Sequence, residues 1–140
     1  MPSQTPKKSI EMKTVAIIHM PYIGSVLSVN NCWIRGRGGH RTNAYKPEVK
    51  IWMGALEEKA SEFRGKLNPP IYIRTSACFK DSRHPDMDNL EKVTLDGLKK
   101  GLDVDDKFFV RYPGEISMDF RFSPQILLEI WDSECVTPPV

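Results

Sequence analysis

The sequence has little that would indicate a secreted, membrane-spanning or zinc-stabilised protein. Its three cysteines, Cys32, Cys78 and Cys135, are widely spaced and form no Cys-x-x-Cys pair, which argues against a disulfide framework and a structural zinc site. No run approaches the roughly 20 apolar residues that a membrane span needs. The opening segment MPSQTPKKSIEMK lacks the apolar core of a signal peptide. We therefore expect a cytoplasmic protein.

Neither sign of charge predominates overall, but the charged residues are unevenly distributed along the chain. The net charge is +2, so the total does not indicate nucleic-acid binding. Residues 31–50 carry five Lys or Arg and one acid, whereas residues 84–107 hold seven carboxylates. With 140 residues, 40% of them hydrophobic, the chain suits a single domain over residues 1–140. Residues 1–10 and 133–140 are expected to be loose tails.

Hydrophobic patterns predict an α+β (mixed α/β) domain, in which a mixed sheet of about four strands carries two helices packed on one face. An apolar stripe from Val49 to Phe63 follows Pro47 at helical spacing, and it predicts an amphipathic helix that faces a core. A second helix is predicted over residues 89–100. Strands are predicted at 13–20, 71–79 and 108–112, and a hairpin is predicted from 116–122 and 126–131.

The segment from Gly24 to Tyr45 is predicted to be a long loop without regular structure, because Gly36, Gly38 and Gly39 interrupt it. A loop of this length in a small domain is unusual unless it is functional or disordered. Its exposed cations would suit contact with a phosphate backbone, and Trp33 and Tyr45 are expected to stack or pack. An ordinary surface loop is the alternative. The candidate DNA-contacting residues are Arg35, Arg37 and Arg41.

The acidic stretch has one pair of carboxylates before the second helix, Asp86 and Asp88, and one pair after it, Asp105 and Asp106. Gly101 is expected to end the helix in the left-handed conformation and to allow the chain to fold back. We hypothesise that both pairs then share one site for a hard cation such as Mg²⁺ or Mn²⁺. The alternative is a capped, solvated helix with ordinary surface charges. An EF-hand is excluded, because its fifth and sixth positions would be Leu90 and Glu91.

The run PDMDNLEKVTLDGLKKG, followed by VDDK, resembles the signature of the RusA family of Holliday junction resolvases. That signature is Asp-x-Asp-Asn-Leu-x-Lys, an Asp four residues after the Lys, and a downstream Asp-Asp. The early strand, the basic loop and the order of helices and strands are also compatible with this family. The matching residues are Asp86, Asp88, Asn89, Leu90, Lys92, Asp96, Asp105 and Asp106.

The resemblance implies a role for each matching residue. Asp86, Asp88 and Asp106 are implied to bind the metal, and Lys92 is the remaining catalytic group. Asp96 and Asp105 are implied to support them. Lys80 and Arg83, in the connector before the motif, join the loop arginines as expected DNA contacts.

The family consists of Mg²⁺-dependent homodimers that nick four-way DNA junctions at two symmetric points in recombination and repair. We expect such activity here, in a bacterial cytoplasm or, for a viral protein, in the cytoplasm of its host. Two alternatives stay open, one because residues 81–84 are less basic than the arginine-rich lead-in expected for the family, and one because the acids could be a solvated face. One is a metal-dependent nuclease acting on flaps or other branched nucleic acids. The other is a non-catalytic module that binds branched DNA.

Overall fold

The structure is a computed structural model, and it describes residues 16–133. Residues 13–15 of the first predicted strand and nearly all of the two predicted tails lie outside this range. The predicted α+β class is confirmed. The strands are β1 (Ala16–Pro21), β2 (Trp33–Arg35), β3 (Arg41–Tyr45), β4 (Ile71–Phe79), β5 (Phe109–Met118) and β6 (Gln125–Asp132), and the helices are α1 (Pro47–Ser61) and α2 (Glu91–Leu102).

Four of the strands form a mixed sheet in the order β1-β6-β4-β5. Strands β4 and β5 run parallel, and the other neighbours are antiparallel. Ile126, Leu128 and Ile130 of β6 are buried, whereas the alternate residues Leu127 and Glu129 are only half-buried. This alternation shows that the helices cover one face of the sheet and leave the other face more open.

The helices pack on the sheet because each has the apolar stripe that its sequence predicts. Pro47 occupies the first turn of α1, where its missing N–H leaves no intrahelical bond unmade. The α1 stripe, consisting of Val49, Trp52, Met53, Leu56 and Ala60, is buried as predicted, and Phe63 packs against the core from just beyond the helix.

The C-terminal end of α2 differs from the prediction, because Gly101 does not terminate the helix. It lies inside α2, where a Cβ would come within 2.6 Å of the Ala60 Cβ and 2.8 Å of the Glu57 carbonyl oxygen. Asp103 takes the left-handed position instead, with φ 57° and ψ 48°. Close helix packing is therefore what requires a glycine at position 101.

The predicted hairpin between residues 116–122 and 126–131 is wrong, because β4 lies between β5 and β6 in the sheet. Pro113 and Gly114 do not break the preceding strand either. They lie at a bulge in β5, where a Cβ on Gly114 would come within 2.3 Å of the Thr75 carbonyl oxygen. Residues 109–118 consequently form one long strand parallel to β4.

The predicted loop from Gly24 to Tyr45 is also more ordered than expected. Strands β2 and β3 pair antiparallel as a separate two-stranded sheet, and the glycines occupy the connection between them. Gly38 and Gly39 both have positive φ, which explains why this tight connection needs glycine. We call residues 33–45 the basic hairpin.

Candidate functional site

Asp86 and Asp88 lie in the short turn that leads into α2. This 3-10 turn spans Met87–Leu90 and is closed by the Asn89 N–H, which donates to the Asp86 carbonyl oxygen at 2.9 Å. Leu90 is buried in the core and anchors the turn, whereas both aspartates are exposed. The local sequence therefore presents two carboxylates on a firmly attached piece of backbone.

Asp88 lines a cleft of about 440 Å³ between the start of α2 and the edge of the sheet. Thr75, Arg111 and Ile116 form part of the sheet side of the cleft. Glu91 lies beside Asp88 and accepts a hydrogen bond from the Arg111 guanidinium, so this ion pair joins α2 to β5. Of the two carboxylates that line the cleft, Glu91 is paired with Arg111. Asp88 has no ion-pair partner within residues 16–133.

Lys92 is held one turn further along α2 by a shared carboxylate. Its Nζ lies 3.4 Å from the Asp96 Oδ2, and the two residues are four positions apart and thus on the same face of the helix. The same Asp96 oxygen accepts a hydrogen bond from the Tyr45 hydroxyl of β3. Burial, together with this hydrogen bond, raises the pKa of Tyr45 well above its ordinary value. Tyr45 therefore stays protonated and continues to donate to Asp96 at neutral pH.

The basic hairpin packs directly against this part of α2. Trp33 stacks on Tyr45 with ring centroids 4.6 Å apart, and the Arg41 guanidinium lies 4.4 Å from the Trp33 centroid. Lys92 approaches the same ring to 6.0 Å. The two aromatic rings therefore pack on each other, with two cations beside the stack, and any stacking of either ring on a nucleic-acid base stays a prediction.

A backbone hydrogen bond also joins the segment before the hairpin to the motif. The Val29 N–H donates to the Asn89 carbonyl oxygen at 2.8 Å, and the Trp33 indole donates to the Val29 carbonyl oxygen at 2.8 Å. This chain of bonds fixes the position of the hairpin relative to Asp88 and Lys92. The long segment is therefore a positioned element of the site rather than an independent loop.

The candidate DNA-contacting residues are all exposed, but they differ in what engages them. Arg35 donates to the Asn30 carbonyl oxygen at 2.8 Å, and Arg37 projects from the hairpin connection. Arg83 lies 2.8 Å from Asp81, and this pairing raises the pKa of Arg83 and lowers that of Asp81. Lys80 is exposed in the same connector. DNA contact by these residues stays a prediction.

Asp105 and Asp106 lie at the other end of α2. Asp105 caps a second short turn by accepting the Lys107 N–H at 3.1 Å, and this hydrogen bond lowers the pKa of Asp105. Helix α2, with twelve residues, separates this turn from the Asp88 turn by about 18 Å. Because β5 runs parallel to β4, the chain after α2 starts again at the far end of the sheet.

The structure consequently does not bring the two acidic pairs together within one chain. Residues 16–133 contain no group of three or more His, Cys, Asp or Glu side chains that could hold a metal ion. The hypothesis that the chain after α2 folds back onto Asp86 and Asp88 is not supported. A single chain therefore does not bring together the three carboxylates that the family resemblance implies as metal ligands. Two of them, Asp86 and Asp88, are exposed in the same turn.

Several residues around the site were not singled out from the sequence. Glu91 occupies a position at which the signature specifies no residue, and Arg111 lies in an otherwise apolar strand, so neither carried a signal. Tyr45 was considered only as a stacking group, and its bond to Asp96 joins residues 51 positions apart.

The open face of the sheet has a larger concavity, of about 630 Å³, that does not include the acidic motif. Arg74 and Glu129 are neighbours on β4 and β6 in its lining, and they form a salt bridge of 2.8 Å. Cys78 and His19 also line this concavity. It shares no lining carboxylate with the Asp88 cleft, so size alone does not identify the site.

Exposed carboxylates beside a lysine and a braced basic hairpin are typical of proteins that act on nucleic acids. The sequence model described as endodeoxyribonuclease RusA matches residues 35–130, which include the motif, α2 and most of the basic hairpin. The chain belongs to this family of Holliday junction-resolving endonucleases. No curated protein gives a match. Neither described helix is long and apolar enough to cross a membrane.

Proposed function

We propose that this chain is a Mg²⁺-dependent endodeoxyribonuclease that resolves four-way DNA junctions by paired, symmetric nicks. The observation that carries the proposal is the family match over residues 35–130, which includes the end of α2 where Asp86, Asp88 and Lys92 lie. The proposed substrate places the protein in the cytoplasm of a bacterium or of a virus-infected host.

The two exposed aspartates are the proposed metal ligands that one chain supplies. Hard cations such as Mg²⁺ and Mn²⁺ prefer carboxylate oxygens, and Asp86 and Asp88 present these without a described ion-pair partner. When bound, such an ion would lower the pKa of a water molecule and offset charge on a phosphoryl oxygen. Mn²⁺ is expected to substitute for Mg²⁺.

Lys92 is the proposed group that stabilises negative charge on the scissile phosphate. The Lys92 side chain is nearly half exposed, and its ammonium pairs with Asp96, which also accepts the Tyr45 hydroxyl of the hairpin. A positive charge fixed in advance is more effective than one that must be ordered during the reaction. Asp96 and Tyr45 are therefore positioning residues in this proposal.

The basic hairpin is proposed to hold the arms of the junction. Arg35, Arg37 and Arg41 are exposed on an element that is bonded to the motif backbone. Contacts to phosphates fix position and report shape rather than base sequence. Because a four-way junction is close to two-fold symmetric, a homodimer with two-fold symmetry would place two such sites in fixed relation.

The test is cleavage of synthetic junctions with Mg²⁺ by wild-type, Asp88→Asn and Lys92→Ala proteins. Asp103→Asn is the matched control, because it makes the same chemical change on an exposed residue at the other end of α2. We expect each site variant to lose about 100-fold or more in rate, the scale for removal of one electrostatic stabiliser. The control should retain the wild-type rate. Equal rates for all four proteins would remove the site assignment.

The same assay with flap and linear duplex substrates decides the substrate class. Wild type that cuts linear duplex faster than junctions would favour a nuclease of broader specificity. We expect junctions to be cut fastest.

One observation favours a second candidate function, a module that binds branched DNA without cutting it. It is the finding that residues 16–133 contain no group of three metal-binding side chains. Tight junction binding without cleavage, and without uptake of Mn²⁺ at millimolar concentration in calorimetry, would support this candidate.

A further inference from the structure

The ion pair between Arg111 and Glu91 lies in the Asp88 cleft but takes no part in the function proposed above. The two carboxylates that line this cleft, those of Asp88 and Glu91, both repel an approaching phosphate. Among the described residues that line the cleft, Arg111 alone has a positive charge. A nucleic-acid strand that reaches Asp88 therefore meets one cation on the sheet side of the cleft, and that cation is Arg111.

The sheet directs the Arg111 side chain towards α2. Arg111 is level with Ile73 in the parallel pair of β5 and β4, and Ile73 is buried beneath the helices. Residues that are level in paired strands point to the same face of a sheet, so Arg111 points to the helix-covered face. There it donates to Glu91 in the first turn of α2. Because β5 is the last strand of the sheet, 54% of the Arg111 side chain stays exposed.

The ion pair holds Arg111 in place without using most of its hydrogen-bonding capacity. A guanidinium has five N–H donors, and within residues 16–133 only Nη1 of Arg111 donates, to Glu91. The Glu91 side chain is 30% exposed, and ion pairs as exposed as this one contribute little to stability. A phosphate can therefore displace the carboxylate at small cost. Hydrogen bonds from arginine to phosphate are charge-assisted and often bidentate, which favours the exchange.

Arg111 and Lys92 lie on different sides of the first turn of α2. Successive residues of an α-helix are turned by about 100°, so the neighbours Glu91 and Lys92 point in different directions. Glu91 points to the sheet, where it meets Arg111. Lys92 points to the basic hairpin, where its ammonium lies 6.0 Å from the centroid of the Trp33 ring. A strand that crosses the Asp88 turn would therefore have a cation on each side.

We propose that Arg111 binds a phosphate of the strand that is cut, next to the phosphate that Lys92 stabilises, and that Glu91 positions the guanidinium until DNA arrives. This inference rests on the proposed action on DNA and adds a residue that contacts the substrate. The phosphate replaces Glu91 as the partner of Arg111, so the Glu91 carboxylate competes with DNA. Removal of Arg111 and removal of the Glu91 charge should consequently have opposite effects on binding.

The first test measures binding of a synthetic four-way junction, without divalent metal, over a range of NaCl concentrations. The steepness of log Kd against log salt concentration reports the number of phosphate contacts, and loss of one contact lowers it by about 1. We expect this loss in Arg111→Gln, together with about 10-fold weaker binding. Arg111→Lys should keep the steepness. Glu91→Gln should bind more tightly than wild type, because the guanidinium is no longer neutralised.

The matched controls are Arg74→Gln and Glu129→Gln, which make the same chemical changes in an ion pair on the open face of the sheet. Both controls should keep the wild-type affinity and salt dependence. An unchanged salt dependence in Arg111→Gln, or binding by Glu91→Gln that is no tighter than that of wild type, would overturn the contact. Unfolding cannot produce tighter binding, so Glu91→Gln decides the matter even if Arg111→Gln does not fold.

The second test locates the contact with junctions in which one phosphate near the branch point is replaced by a neutral methylphosphonate. Replacement of the phosphate that Arg111 binds should weaken wild-type binding about 10-fold and leave binding by Arg111→Gln unchanged, because its partner is already missing. Lys92→Ala should show the same insensitivity at the adjacent phosphate of the same strand. Independent effects at every phosphate, or insensitivity of Arg111→Gln on a different strand from that of Lys92→Ala, would overturn the proposed position.

Binding and cleavage together separate failure of this inference from failure of the proposed function. Wild type that binds junctions with the expected salt dependence and phosphate positions but cuts none would uphold the Arg111 contact and remove the nuclease proposal. Junction cleavage by wild type, with an unchanged salt dependence in Arg111→Gln, would uphold the nuclease proposal and remove the Arg111 contact. Wild type that binds no junction would remove both.

Discussion

The two ends of α2 are held in different ways. At the N-terminal end, the Tyr45 hydroxyl of the basic hairpin donates to Asp96, and the Val29 N–H, just before the hairpin, donates to the Asn89 carbonyl oxygen. Within α2, Asp96 also forms an ion pair with Lys92. At the C-terminal end, Gly101 packs directly on α1, and the Arg64 guanidinium donates to the Gly101 carbonyl oxygen at 2.9 Å. Beyond that contact, Asp105 and Asp106 stand in an exposed turn.

This difference separates the orientation of polar groups from the stability of the fold. Polar bonds have preferred directions, so those at the N-terminal end fix where Lys92 points. Close packing at the C-terminal end fixes the distance between the helices, whereas Asp105 beyond it is oriented by its own turn, in which it accepts the Lys107 N–H. Substitutions at the two ends should therefore differ in what they affect.

The largest effect on stability is expected at the packed end, for Gly101→Ala. The new Cβ would meet the Glu57 backbone and Ala60 Cβ at less than 3 Å, so α1 and α2 must move apart. We expect a loss of about 1–3 kcal/mol in the free energy of unfolding, measured by urea denaturation. Gly54→Ala is the control, since a Cβ at this position would meet nothing within 4 Å beyond its own stretch of helix, and it should stabilise α1 by about 1 kcal/mol. Similar losses at both glycines would contradict the packing argument.

A smaller effect is expected at the polar end, for Tyr45→Phe, which removes the hydrogen bond to Asp96. We expect a loss of about 1 kcal/mol in unfolding free energy, the usual contribution of one such bond, with the stacked ring retained. If Tyr45 positions Lys92, junction cleavage should also decrease while junction binding is unchanged. A variant with normal cleavage would limit Tyr45 to a structural role.

The same variant makes a prediction about pH. The folded chain raises the pKa of Tyr45 above the ordinary value of 10.0, so folding favours its protonated form. This contribution to stability is complete below pH 10 and is lost as the pH rises towards the folded pKa. The stability difference between wild type and Tyr45→Phe should therefore stay constant from pH 8 to about pH 10 and shrink above pH 10 in urea denaturation. A constant difference would show that Tyr45 titrates normally.

The smallest effect is expected for Asp103→Gly, just beyond the packed end. Asp103 adopts a left-handed conformation, which glycine adopts without the steric penalty of a Cβ. We expect a gain of about 0.5 kcal/mol in unfolding free energy and no change in cleavage. Asp103→Val, which has a branched Cβ, should instead destabilise the protein. A loss of stability in the glycine variant would mean that the Asp103 side chain stabilises the folded state by more than its left-handed backbone conformation destabilises it.

The features that were predicted from the sequence are those encoded by local spacing. The α1 stripe from Val49 to Ala60 has a helical period, so it follows from short-range geometry. The motif around Asp88 was recognisable because its residues are close together in the chain. The family that this motif indicated is the one to which the chain belongs.

The features that were missed depend on contacts between distant segments. Pro113 and Gly114 are a normal signal for a strand break, and only pairing with β4 shows that they form a bulge. Gly101 has the usual position of a helix terminator, and only the approach of Ala60 shows its packing role. The separation of Asp88 from Asp106 follows from the parallel direction of β5, which no local pattern in the sequence specifies.

The Asp96 carboxylate accepts a hydrogen bond from the Tyr45 hydroxyl of the hairpin and forms an ion pair with the Lys92 ammonium of α2. Asp96 thereby links the hairpin that is proposed to contact a DNA arm to Lys92, which is proposed to stabilise the scissile phosphate. A hairpin pulled out of place by a badly fitting substrate would take Tyr45 with it and loosen the lysine. Recognition of the correct branch and readiness for hydrolysis would then occur together, without any large movement of the domain.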